Sequence, residues 1–298
     1  MKKYLFNLRS SVLSILIALF YIQAYNAQVG IGTVLPEGAL DLNTTTQGLV
    51  FPRVALTASN VELPITNPNG GTVEEGTTIY NTSTTTNGTN DVYPGIYSWD
   101  GLIWAPQFVM ADYTKFEQSG GCYRTTIKES YSDPNPSDAD NILGITNQIF
   151  VPKYTGTYKV EIKTNFGAGA INDFTADDKI SLATSEGSFF FKLSGLGVDI
   201  DPIPPGALYD YTEGWIYTHS YSTHNSIETP SLEDNTIKHN TSSVFYVNLT
   251  ASENYTLNLS ICIITGDEYF INNGDSGSGQ GHVGHDIPCT IEFTFLKE

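Results

Sequence analysis

The second half of the chain alternates. Tyr158, Val160, Ile162 and Phe166 fall on one side of an extended strand, while Lys159, Glu161, Lys163 and Asn165 fall on the other. A period of two is what a half-buried strand requires, because successive side chains point to opposite faces of a sheet. The pattern recurs at Phe245, Val247 and Leu249, at Tyr255, Leu257, Leu259, Ile261 and Ile263, and at Ile291, Phe293 and Phe295. Further short strands are expected near residues 123–128, 149–151, 180–183, 189–193 and 215–221. No helical period competes with them. The reading is all-β: residues 110–298 form an antiparallel jelly-roll sandwich, preceded by a short β-rich, stalk-like segment.

Composition points the same way and narrows the partners. Only 15% of residues are charged, and these comprise 14 basic against 32 acidic side chains, a net −18. Such a chain repels phosphate, which excludes nucleic acid and anionic lipid surfaces as partners. Lys2, Lys3 and Arg9 precede an apolar run from Val12 to Ile22, with Ala24 and Ala27 after it. That is the layout of a secretory signal peptide over residues 1–27. The run is shorter than the roughly 20 apolar residues of a membrane-spanning helix. The mature chain is therefore expected to be secreted or held at the cell surface, with no membrane span.

Residues 28–109 have a different grammar. Gly, Thr, Asn and Pro interrupt short apolar stretches every few residues, and such a segment can hardly close a core alone. Its clearest element is Gly95 to Trp104, where Asp100-Gly101 favours a two-residue hairpin turn. Trp99 and Trp104 then flank one ribbon, as anchors at a chain interface or as stacking platforms for sugar rings. The wording Val29-Gly30-Ile31-Gly32-Thr33, Pro36, Ala39-Leu40-Asp41-Leu42, Ile79-Tyr80-Asn81-Thr82 and Trp99-Asp100-Gly101-Leu102-Ile103-Trp104 resembles an N-terminal module of secreted and surface proteins of Gram-negative bacteria. It also resembles parts of phage tail fibres, in which three chains wrap around one another. The resemblance implies a homotrimeric stalk or adaptor and no chemistry.

In the second region, Phe150-Val151-Pro152, then Gly156-Thr157-Tyr158-Lys159-Val160, the strand pair 244–249 and 255–263, and a closing strand 291–296 form an order of pieces similar to the globular head of the first complement component and its tumour-necrosis-factor relatives. That resemblance implies a trimeric, ligand-binding head. The chain departs from it in a long insertion at 199–233 and a Gly-rich loop at 266–288.

Four groups of residues carry candidate chemistry. Tyr211, Trp215, Tyr217 and Tyr221 lie in the densest aromatic stretch and suit trimer contacts or carbohydrate stacking. His282, His285 and Asp286 offer transition-metal ligands on a flexible loop, against the alternative of a solvated connection. Asp133, Asn135, Asp138 and Asp140 offer oxygens to calcium, although Asp138 and Gly144 occupy the glycine and glutamate slots of an EF-hand and so exclude that motif. Cys262 and Cys289 are one candidate disulfide, Cys122 and Cys289 another, and separate buried thiols the third arrangement. No hydrolase elbow, phosphate loop, zinc-protease pair or dinucleotide fingerprint is present. The expected function is thus non-enzymatic: an exported, homotrimeric adhesion protein whose head recognises a glycan or protein. A structural subunit of a surface fibre is the alternative, and a carbohydrate-binding module or glycoside hydrolase the second alternative.

Overall fold

The structure is a computed structural model that describes residues 28–124, 139–169, 171, 180–202, 213–227, 232–234, 237–264, 281–285 and 287–296. Residues 1–27, expected to be a signal peptide, and Asp133, Asn135, Asp138, Tyr211 and Asp286 lie outside the described residues. The chain divides into two compact units, Met1–Phe51 and Pro52–Glu298. Among the described residues, no helix is long and apolar enough to cross a membrane.

In the first unit, β1 (Val29–Ile31) pairs in parallel with β2 (Leu40–Leu42). Gly32, just after β1, lies against the residue that follows β2: its φ is +78°, and a Cβ there would sit 2.2 Å from the Asn43 carbonyl oxygen. Two three-residue strands enclose nothing. Val29, Ile31, Val34, Leu35, Leu49 and Val50 are all exposed.

The second unit begins with a four-stranded sheet in the order β3 (Arg53–Val54), β4 (Thr78–Asn81), β5 (Gly95–Trp99), β6 (Trp104–Pro106). Contrary to the expectation from its turn-rich sequence, residues 52–106 do close a core, built of Leu56, Val73, Ile79, Val92, Tyr97, Trp99 and Trp104. Asn81 makes this feasible without long strands. Its buried side chain accepts from the Leu56 N–H and donates to the Tyr93 carbonyl, stitching irregular backbone together.

The sandwich follows. Its strands are β7 (Tyr113–Glu117), β8 (Tyr123–Arg124), β9 (Asp140–Asn141), β10 (Gln148–Phe150), β11 (Gly156–Ala168), β12 (Ile180–Gly195), β13 (Val198–Ile200) and β14 (Trp215–Asn225). Then come β15 (Leu232–Asp234), β16 (Lys238–Leu249), β17 (Tyr255–Ile264), β18 (Gly281–Val283) and β19 (Thr290–Phe295). One sheet contains β7-β19-β11-β16 and the other β10-β17-β12-β14, all antiparallel. Counting these eight in chain order, the sheets run 1-8-3-6 and 2-7-4-5, which is the jelly-roll order. The insertion expected at 199–233 therefore contains a structural member, since β14 is the fourth strand of its sheet. The two segments expected at 180–183 and 189–193 are a single long strand, β12.

The core lies between the sheets. Tyr158, Val160, Ile162 and Phe166 of β11 meet Phe189, Phe191 and Leu193 of β12, Leu257, Leu259, Ile261 and Ile263 of β17, and Ile291 and Phe293 of β19. Phe150 stacks on Phe293 with ring centroids 4.1 Å apart. The sandwich and the small sheet meet at an aromatic joint. Tyr93 packs edge-on against Tyr154 at 4.8 Å and accepts a hydrogen bond from the Thr155 N–H at 2.8 Å. Beside it the buried Tyr158 hydroxyl donates to Asp112 Oδ2 at 2.7 Å, and the Lys153 N–H reaches the same oxygen. Burial, reinforced by the Asp112 carboxylate, pushes the Tyr158 phenol far above its ordinary range.

No disulfide joins Cys262 to Cys289 or Cys122 to Cys289. Strand parity explains the first. Residues 255, 257, 259, 261 and 263 of β17 point into the core, so Cys262 points out of it, whereas Cys289 is a core residue. Burial pushes the Cys289 thiol up to about 12, and Cys122 is exposed. Only the thiolate reacts. A maleimide added to the native protein is expected to label Cys122 within minutes, with Cys289 labelled only after denaturation; mass spectrometry of tryptic peptides reads the order.

Trp104→Ala is expected to destabilise the Pro52–Glu298 unit by about 3–5 kcal/mol, the usual cost of emptying a core of a large aromatic. Urea titration followed by fluorescence measures it.

Candidate functional site

The two tryptophans of the hairpin are core, and this corrects their assignment as ligand-binding or interface residues. Trp99 and Trp104 face each other across β5 and β6, with ring centroids 5.3 Å apart and 3% and 0% of their surface exposed. Trp104 Nε1 donates to the Val61 carbonyl. Because residues 99 and 104 pair, the loop between them holds four residues rather than two. Asp100 organises it: its carboxylate accepts from the N–H groups of Leu102 and Ile103, which hold its pKa below the usual carboxylate range, and Gly101 takes φ +97°. The large apolar residues exposed at the tip are Leu102 and Ile103.

Of the metal candidates, Asp140, His282 and His285 are among the described residues. Asp140 lies on β9 and pairs in register with Ile261. His282 lies on β18 opposite Gly167 of β11, and its ring occupies the space a Cβ at 167 would need, 2.4 Å from Nε2. The rings of His282 and His285 approach to 5.3 Å. Among the described residues, no group of three His, Cys, Asp or Glu side chains stands close enough to hold a metal ion.

The aromatic stretch does form a surface. On β14 the inward positions are Ile216, Thr218, Ser220 and Ser222, all buried. The alternate positions Trp215, Tyr217, His219 and Tyr221 therefore share the outer face of their sheet, about 7 Å apart along the strand. Tyr217 is 45% exposed and Tyr221 36%. Their neighbours on β12 are Phe190, Ser188, Glu186 and Thr184, directly opposite in register. Phe190 lies against Trp215 with centroids 6.2 Å apart. At the far end, His239 of β16 meets His219 edge-on at 5.3 Å and Tyr221 at 6.2 Å. The result is a row of aromatic rings bordered by hydroxyl, carboxylate and imidazole groups, a composition that stacks on apolar ring faces while exchanging hydrogen bonds at their edges.

Two members of this row were not singled out from the sequence. Phe190 had a signal: Phe189-Phe190-Phe191 is a consecutive apolar run, which breaks alternation and marks a strand buried on both faces. His239 had none, since only the approach of β16 to β14 brings it within reach.

The outer face of the other sheet is ionic. Lys163 bridges Glu292 at 2.9 Å and Glu161 at 3.7 Å, and Lys159 reaches Glu161 at 2.7 Å. The Tyr113 hydroxyl donates to Glu292. Hydrogen bonds from the lysines lower the pKa of Glu161 and Glu292 and raise those of Lys159 and Lys163. For the glutamates this stability is present above their unfolded pKa of about 4.3 and is lost as pH falls through their lower folded values. Glu292→Gln is expected to cost a few tenths to about 1 kcal/mol at pH 7 and nothing below the glutamate transition. Urea midpoints measured from pH 3 to 7 test both halves.

Comparison with known proteins bears on one part of the chain. Residues 30–116 match the family described as "Phage tail like trimerisation region". No curated protein sequence matches. Among solved structures, the Eiger TNF of S. frugiperda is 10% identical, covering 63% of this chain and 94% of that one, with a TM-score of 0.25. The VP2 subviral particle of infectious bursal disease virus is 9% identical, covering 74% and 51%, with a TM-score of 0.17. The jelly-roll assignment rests on strand order and not on these likenesses.

Proposed function

We propose that the chain is an exported subunit of a trimeric surface fibre or appendage, in which residues 28–116 associate three copies and the sandwich is the head each copy contributes. The observation that carries the reading is the exposed apolar set of the first unit. Val29, Ile31, Val34, Leu35, Leu49 and Val50 have no core of their own, and residues from 30 onward match a trimerisation region. Apolar side chains on strands too short to bury them are covered when identical copies pack around a common axis. Light scattering behind a sizing column is expected to give three times the protomer mass for residues 28–298. Removal of residues 28–51 is expected to lower that mass, and a stable monomer with the segment intact overturns the reading.

A second reading gives the head a ligand. The aromatic row of β14 supports recognition of a surface glycan, because Tyr217 and Tyr221 are exposed and polar groups edge the row. On a glycan array, Tyr217→Ala and Tyr221→Ala are each expected to lower retention about fivefold, the equivalent of roughly 1 kcal/mol per aromatic stack. A head that retains no glycan counts against this reading while leaving the fibre reading intact.

A further inference from the structure

The match to a trimerisation region runs past the first unit to residue 116, through the small sheet of β3 to β6. That sheet already has a closed core, with Trp99 and Trp104 buried inside it. It leaves no interior for copies of the chain to share, so any contact they make there uses its surface. Parity identifies that surface. Ile79, Tyr97, Trp99 and Trp104 point to the core, and the alternate positions therefore share the opposite face. They form two rows in register: Arg53, Tyr80 and Ile96, then Thr78, Ser98 and Ala105.

This face is suited to being covered. Tyr80 is 39% exposed and Ile96 36%, and the two stand directly opposite each other in register. Thr78, Ser98 and Ala105 beside them are small enough for another backbone to approach. The Thr78 hydroxyl donates to the Gly76 carbonyl at 3.0 Å, which makes Ser98 the donor in the 2.9 Å bond between the two hydroxyls. Both hydroxyls are thus satisfied as donors within the sheet, and covering them strands neither. None of the six side chains is a carboxylate. The net charge of −18 resides elsewhere, so copies meeting here do not bring acid to acid. A competing apolar patch, Leu102 and Ile103 at the hairpin tip, sits beside the Asp100 carboxylate, and three tips together would gather three such charges.

We infer that the outer face of the sheet of β3 to β6 is a contact surface between copies of this chain, with Tyr80 and Ile96 as its apolar centre and Thr78, Ser98 and Ala105 allowing close approach. In a closed ring of three, each copy turns this face to its neighbours around the common axis. The inference rests on the trimer reading above and adds to it a surface beyond the first unit.

Light scattering on residues 28–298 tests it. Tyr80→Glu with Ile96→Glu puts carboxylates into the contact from every copy, and the mass is expected to fall below three protomers at concentrations where the unaltered chain stays trimeric. Tryptophan emission is expected to keep its native wavelength, because Trp99 and Trp104 lie on the other side of the sheet. Leu102→Glu is expected to leave the trimer intact. Nitration of the unaltered chain by tetranitromethane gives a reading that needs no variant to fold: Tyr80 is expected to react at least tenfold more slowly than Tyr217, which is 45% exposed on the head. A double variant that remains trimeric, a Leu102→Glu chain that dissociates, or Tyr80 nitrated as fast as Tyr217 overturns the inference and leaves the fibre reading standing. A monomeric unaltered chain overturns both.

Discussion

The alternation along β11 is the constraint on which the sandwich depends. This strand pairs with β16 on one side and with β18 and β19 on the other, so it sets the register of its whole sheet. A slip of one residue would carry Lys159, Glu161 and Lys163 into the core and Tyr158, Val160 and Ile162 into water. No neighbouring interaction could offset burial of three charges. The ionic network on the outer face follows from the same parity, since the residues that cannot enter the core meet Glu292 of β19 there.

The smaller core obeys a different economy. Its strands are two to five residues long, too short for alternation to specify much. Two facing tryptophans are its largest buried side chains, and side chains such as Asn81 and Asp100 satisfy backbone that no ladder reaches. Its attachment to the sandwich is aromatic and hydrogen-bonded: Tyr93, Phe108, Tyr154 and Tyr158 bury their rings at the joint, and the tyrosine hydroxyls find Thr155 and Asp112. Amphipathic rings suit such a seam, because each fills space and still carries a polar group that must be paired.

The surfaces left over differ in character, and the difference separates roles. Among its described residues, the first unit exposes Val29, Ile31, Val34, Leu35, Leu49 and Val50. The sandwich exposes an aromatic row on one sheet and an ion-paired lattice on the other. The trimerisation match covers the first of these stretches and part of the second unit, residues 30–116.

Much of the architecture was legible from the residues. Period-two runs in β11, β16, β17 and β19 specify which side chains are buried, because a strand's faces are determined by parity alone. Turn chemistry located the 95–104 hairpin but misjudged its loop, since the pairing of Trp99 with Trp104 and the capping by Asp100 outweighed the Asp-Gly preference. Cys262 and Cys289 illustrate the same limit: composition permits a bridge, and only the register shows that the two face opposite ways. The aromatic stretch was visible as a density of rings, but a strand buried on one face and exposed on the other reads the same whichever face is core. Its exposure was decided by Ile216, Thr218, Ser220 and Ser222 taking the inward positions of β14. The arrival of His239 beside His219 is a property of strand order and sheet separation. It involves residues far apart along the chain, and no local propensity records such distances.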